Sequence, residues 1–184
     1  MKGYVFFDVE TANRQRWTIC QYSFVVKNLN NEVIFTFNEF VKPASNEIEF
    51  TNTFIHGISW SDVKNKRMFK DLWSEIKQYF NGEYLIIAHN AGFDTSCLKK
   101  IIIKENLEWK PFEYLCTFQL LKKVRPNLPS YGLEELCTRL GYSFNHHDAI
   151  ADVNAMIHIF ENEFVNYNDL KNKISSKILN KFIF

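Results

Sequence analysis

Net charge is nearly absent from this 184-residue sequence: 22 lysines and arginines against 21 aspartates and glutamates leave +1. No global basic field therefore marks it for nucleic acid, although a neutral protein can still carry a local basic groove. Cysteine is scarce. Cys20, Cys97, Cys116 and Cys137 form no CxxC pair and no tight metal-ligand spacing, which argues against zinc and for buried, reduced thiols in a cytosolic protein. No run approaches the roughly 20 apolar residues needed to span a bilayer. The opening stretch MKGYVFFDVETANRQRW has acids and arginines where a signal peptide would have its apolar core. A soluble, cytoplasmic protein with no membrane association is expected. Internal repeats, linkers and composition breaks are also missing, so residues 1–184 read as a single domain, large enough to bury about 70% of its unfolded surface. What remains is 46% apolar and 16% aromatic, a globular composition.

Gly3 to Asp8 reads as a buried first strand. The β-branched and aromatic runs TICQYSFVVKNLN and NEVIFTFNEFVKP, parted by a turn at Asn28–Asn31, complete a three-strand meander that Pro43 ends. ASNEIEFTNTFIHGIS reads as loop. Residues 60–80 carry Val63, Met68, Leu72, Ile76, Tyr79 and Phe80 near one helical face, closed by Asn81-Gly82. EYLIIAH is a continuous apolar run, typical of a central strand covered on both sides. A helix (FDTSCLKKIIIKENL), a brief strand (EYLCT) and a short helix (FQLLKKV) follow. YGLEELCTRLGY is a further helix, with Ser130 as N-cap and Gly141 at its end. DAIADVNAMIHIFENEF is the strongest helical segment, striped by Ile150, Val153, Ile157 and Phe160. Residues 165–184 are lysine-rich and read as a terminal helix or a tail. Strands first, then alternating helices and strands, predict an α/β fold around a mixed sheet, with its site beyond the carboxyl ends of the strands.

Four acids stand out by position. Asp8 and Glu10 share one face at the end of the first strand, because side chains alternate with a period of two. Two anions there repel each other and resist desolvation unless something neutralises them. Asp94 follows the second central strand in HNAGFD, where taken alone it could equally serve a helix N-terminus. Asp152 lies among Ala149, Ile150, Ala151 and Val153, a small and apolar neighbourhood. Converging carboxylates suit Mg²⁺ or Mn²⁺. Two such ions about 3.5–4 Å apart can clamp a phosphoryl displacement, so phosphodiester chemistry is expected.

FFDVET, HNAGFD and HHDAIAD, in this order, resemble the three motifs of the DnaQ-like (DEDD) 3′–5′ exonuclease superfamily over residues 4 to about 160. His147, five residues before Asp152, resembles the histidine of the DEDDh branch, and His146 is out of register. The resemblance implies a ribonuclease-H-like fold, a mixed β-sheet with flanking α-helices. It implies two Mg²⁺ or Mn²⁺ held by Asp8, Glu10, Asp94 and Asp152, with His147 as general base, suited to that task near neutral pH. It implies Thr11 and Ala12 at the terminal-nucleotide pocket, and it brings His56 to the 3′ end. Asn90 would orient the second motif or the substrate. Phe93 would stack on a base or fill the core. The implied partner is the 3′ end of a single-stranded nucleic acid, with DNA, RNA and short oligonucleotides all open as substrates. A polymerase-associated proofreading role and a non-catalytic binding module are the alternatives. The stretch TANRQRW departs from the commoner Thr-Gly turn after the first motif.

Overall fold

The computed structural model of the chain describes residues 1–163 and 180–183. Its centre is β1 (Gly3–Thr11), paired antiparallel with β2 (Ile19–Asn28), which pairs antiparallel with β3 (Val33–Phe40). On its other side β1 runs parallel to β4 (Tyr84–Ala88), and β4 runs parallel to β5 (Phe112–Cys116). A short β6 (Asn180–Phe182) pairs antiparallel with β5, giving the order β3-β2-β1-β4-β5-β6. The helices are α1 (Phe50–His56), α2 (Trp60–Val63), α3 (Phe69–Ile76), α4 (Gly92–Lys104), α5 (Thr117–Val124), α6 (Leu133–Arg139) and α7 (Ala149–Glu163), with a 3-10 turn at Lys77–Phe80. No helix among the described residues is long and apolar enough to cross a membrane.

Alternation along β1 divides the core. Val5, Phe7 and Val9 face one way, into a layer built from Tyr22, Phe24, Phe69, Leu72, Ile76, Phe80, Leu98 and Ile101. Tyr4 and Phe6 face the other way, against Leu121, Leu136, Val153, Met156 and Phe160. Each fully buried phenylalanine contributes on the order of 2–3 kcal/mol of transfer free energy. Phe160 fixes α7 on the second face, its ring 5.6 Å from Tyr4 and 5.2 Å from Phe6. Continuing along that face of β1, the next side chains are Asp8 and Glu10. From Phe6 to Glu10 a strand advances about 13 Å, and from Phe160 back to Asp152 a helix spans about 12 Å. The aromatic anchor at one end of α7 thereby sets Asp152 beside the two strand acids at the other.

Several expectations need correction. The first strand runs on to Thr11, with a bulge where Glu10 pairs with Gln21 and Thr11 pairs with Ile19. The expected loop at residues 44–59 contains α1, hidden from periodicity because none of its residues is buried and Phe50 and Phe54 are exposed. The expected helix over 60–80 is broken at Lys64–Met68. Asp62 accepts the Ser59 N–H to cap α2, and Asp71 accepts the Met68 N–H to start a new helix at Phe69. The helix α6 starts at Leu133 after Gly132, and Ser130 accepts only the Gly132 N–H, outside the helix. In the closing segment, read as helix or tail, residues 164–179 lie outside the described residues, and Asn180–Phe182 is an edge strand. The Phe182 ring stacks 4.3 Å from Phe112, its direct partner across the strands.

Candidate active site

Because β1 and β4 are parallel, their carboxyl ends open at the same edge of the sheet. Asp8 and Glu10 come from β1, both partly buried. Beyond β4, Asn90 adopts a left-handed conformation (φ 54°), a geometry asparagine tolerates, and turns the chain into α4. Asp94, the third residue of α4, is buried, and its Oδ1 accepts the Val9 backbone N–H at 3.3 Å. It reaches the cluster over the sheet edge from the opposite face. Buried Asp152 comes from the first turn of α7. Ligand atoms of Asp8, Glu10 and Asp152 lie within 4.8 Å of one another.

This crowding makes the cluster hold protons. Burial, then the charges of Asp94, Asp152 and Glu10, raises the Asp8 carboxyl well above the ordinary range. Burial and Asp152 push Glu10 up to about 8. Burial lifts Asp94 to about 7, against the hydrogen bonds from backbone N–H groups. Asp152 is raised as well, by burial, with His146 opposing. Hard oxygen donors converging in a partly desolvated place, each disfavouring its own negative charge, fit a divalent cation.

His147 stands at the rim in a left-handed conformation (φ 67°), and its backbone N–H donates to Asp152 Oδ2 at 3.0 Å. Burial and His146 lower its pKa, keeping the ring neutral at pH 7. His146 is not a remote neighbour. Its Nδ1 lies 2.6 Å from Asp152 Oδ1, and its ring stacks 4.0 Å from that of His147. Sequence register left it aside, since only the folded turn shows that Asp152 engages both histidines at once. The turn is held from β2: Gln21, opposite Glu10, donates to Asp148 Oδ1 at 3.3 Å and accepts the Ala149 N–H at 3.4 Å.

These acids and histidines line a cleft of about 740 Å³ together with Thr11, His56, Asn90 and Phe93. Ala12 does not line it. That residue is fully buried among Cys20, Ile58 and Val63, because the bulge at Thr11 turns it inward. His56 belongs to α1, and both its ring nitrogens serve the backbone. Nδ1 accepts the Ile58 N–H at 3.0 Å, so Nε2 carries the proton toward the Thr11 carbonyl at 3.2 Å. With Asn52, which donates to the same carbonyl at 2.9 Å, it ties α1 over the end of β1. Phe93 is 37% exposed and faces the cleft, which settles it as a wall residue in place of core filling. The walls also include His89, the first residue of HNAGFD, and Arg14, Arg16 and Phe118, which sequence reasoning passed over. His89 is held neutral, its pKa lowered to about 4 by burial, with Nδ1 2.8 Å from Thr117 Oγ1.

A mixed sheet that gathers carboxylates and a histidine over one edge, with helices on both faces, is the α/β architecture of the ribonuclease-H-like type. Residues 5–160 match the sequence model of the exonuclease family, and the chain belongs to that family. Among curated relatives, the PolC-type DNA polymerase III of Mycoplasmopsis pulmonis is 29% identical over 163 residues, 85% of this chain. That of Thermotoga maritima is 31% identical over 137 residues, 73% of this chain. The matched part is about a tenth of each polymerase, 11% and 10% respectively. Among solved structures, E. coli exonuclease I in complex with a dT13 oligonucleotide superposes with a TM-score of 0.78 at 19% identity, covering 94% of this chain and 43% of that one. The nuclease domain of 3′hExo, a DEDDh family member bound to rAMP, gives 0.72 at 17% identity and covers 88% and 92%. Exonuclease X in complex with 5′-overhanging duplex DNA gives 0.68 at 20% identity and covers 95% and 96%.

Proposed function

We propose that the chain is a metal-dependent 3′–5′ exonuclease domain that removes nucleoside 5′-monophosphates from the 3′ ends of single-stranded nucleic acid. The observation that carries the reading is the convergence of Asp8, Glu10 and Asp152 within 4.8 Å, with Asp94 over the same sheet edge, inside a cleft of about 740 Å³. Asp8, Glu10 and Asp152 would hold one Mg²⁺ or Mn²⁺, and Asp94, over the same sheet edge, would help hold a second. Such ions supply charge neutralisation on the phosphate and a lowered pKa for water. His147 takes the proton of the attacking water, for which a neutral imidazole at pH 7 is the competent form. His146 holds Asp152 by its Oδ1 and orients the turn that carries His147. Thr11 and Asn90 form walls against which the terminal nucleotide is received, and Phe93 lines the cleft beside them.

The test is a 5′-labelled single strand incubated with Mg²⁺, Mn²⁺ or EDTA. A ladder shortening from the 3′ end with metal and none with EDTA is expected. A protein that retains the strand but never shortens it would be a binding module instead. The PolC-type relatives favour a second reading, proofreading beside a polymerase. Co-purification with a polymerase, and preferential removal of mismatched 3′ ends, would favour that role.

A further inference from the structure

The stretch TANRQRW, which departs from a simple turn, forms a tied loop between β1 and β2. Asn13 Oδ1 accepts the Gln15 N–H at 2.8 Å and the Thr18 hydroxyl at 3.1 Å. The Thr18 N–H and the Ala12 N–H close the loop on Gln15 O at 2.9 Å and Thr18 O at 2.7 Å. Asn13 and Thr18 are buried, whereas Arg14 and Arg16 are exposed and line the cleft. They are the only lysines or arginines among the described residues lining it, and neither has an ion-pair partner among the described residues. The Arg16 guanidinium carbon lies 5.5 Å from the centre of the Phe93 ring. Directly after it in the chain, Trp17 is covered by the Lys104 ammonium at 4.2 Å. Phe93, Lys100 and Lys104, spaced by seven and four residues, share one face of α4.

A polyanion approaching four carboxylates needs compensating charge at the entrance, and planar guanidiniums offer paired donors matched to phosphate oxygens. Building on the exonuclease reading, we infer that Arg14 and Arg16 grip the phosphates on the 5′ side of the scissile bond while Phe93 stacks on the base between them. The strand then leaves along the outer face of α4, past Lys100 and the Trp17–Lys104 pair. From Phe93 to Lys104 this face measures about 17 Å, room for on the order of four nucleotides. The loop thus sets substrate length: an oligonucleotide that reaches the track is favoured over a mononucleotide ester.

The test compares wild type, R14A, R16A and R16K on two substrates with Mn²⁺ present. One is a 5′-labelled oligonucleotide of a dozen or so nucleotides, and the other is the p-nitrophenyl ester of thymidine 5′-monophosphate, which has no second phosphate. For R14A and R16A, KM on the oligonucleotide should rise about tenfold or more with kcat held within about threefold. The dependence of log(kcat/KM) on log salt should flatten by about 0.7 for each phosphate no longer gripped. R16K should restore the salt slope but only part of the KM. Equal losses on both substrates, or an unchanged KM and salt slope, overturn the inference. Failure of the wild-type chain to hydrolyse either substrate overturns the exonuclease reading itself.

Discussion

Glu10 has an ordinary pKa of 4.5 and is pushed up to about 8 in the fold, with burial as the first cause and Asp152 as the second. The native state therefore holds a proton that the unfolded chain releases, so stability falls as pH rises through this window. Evaluated between pH 5 and pH 8, Glu10 alone costs on the order of 3–4 kcal/mol of metal-free stability. For a chain of this size that is a fall in Tm of about 7–14 °C. Asp94, raised to about 7, acts in the same sense. His147, with its pKa lowered, acts in the opposite sense as pH rises through its folded value toward 6.5. The substitution Glu10→Gln isolates the carboxylate, because the histidine contributes to both proteins. Thermal unfolding of EDTA-treated wild type should show the falling Tm, and the Gln variant should show a shallower fall, because Asp8 and Asp94 keep their share of it. A divalent ion at 100 times its Kd should return about 2.7 kcal/mol to the wild type at pH 8. A metal-free wild type whose Tm is flat or rising from pH 5 to pH 8, or a Gln variant with the same slope, would refute the reasoning.

Further outcomes follow from individual residues. His147→Ala should slow turnover by about 10²–10⁴-fold while calorimetry still detects metal binding. His146→Ala should lose less activity, because it acts through Asp152. Phe160→Ala should destabilise the fold by about 3–5 kcal/mol and, by loosening α7, weaken metal affinity, both readable in a denaturant titration with and without Mn²⁺. Gly82→Ala should cost about 1–3 kcal/mol, since Gly82 sits at φ 89° and a Cβ there would lie 2.9 Å from the Pro111 carbonyl oxygen. Chemical denaturation measures it directly, and a neutral result would argue against that turn.

The parts of the fold that write themselves into sequence are those whose side chains all report one environment. YVFFDVE alternates two cores and then two acids, and YLIIA is apolar throughout because it lies between two strands. The α7 pattern is legible for the same reason, with Phe160 and Asp152 two turns apart on one stripe. By contrast, α1 buries nothing, so no periodicity reveals it. The stripe across residues 60–80 survives a break because α2, α3 and the 3-10 turn all pack against the core side. β6 exists only through its partner β5, a pairing that local pattern does not encode. In the site, Asp8, Glu10 and Asp152 are readable as carboxylates in unsuitable surroundings, whereas Asp94, at a helix start, is readable only from its place after the strand and its motif. His146 and the arginine pair are not, since their meaning lies in a tight turn at φ 67° and in a loop tied by Asn13 and Thr18.

The most direct test of the central claim is the length distribution of a 5′-labelled single strand after incubation with wild type and with Asp8→Ala, each in Mn²⁺. A ladder descending one nucleotide at a time from the 3′ end with wild type, and an intact strand with the variant, is the predicted result. A wild-type reaction that leaves the strand intact, or an Asp8→Ala protein that shortens it at the same rate, would contradict the account.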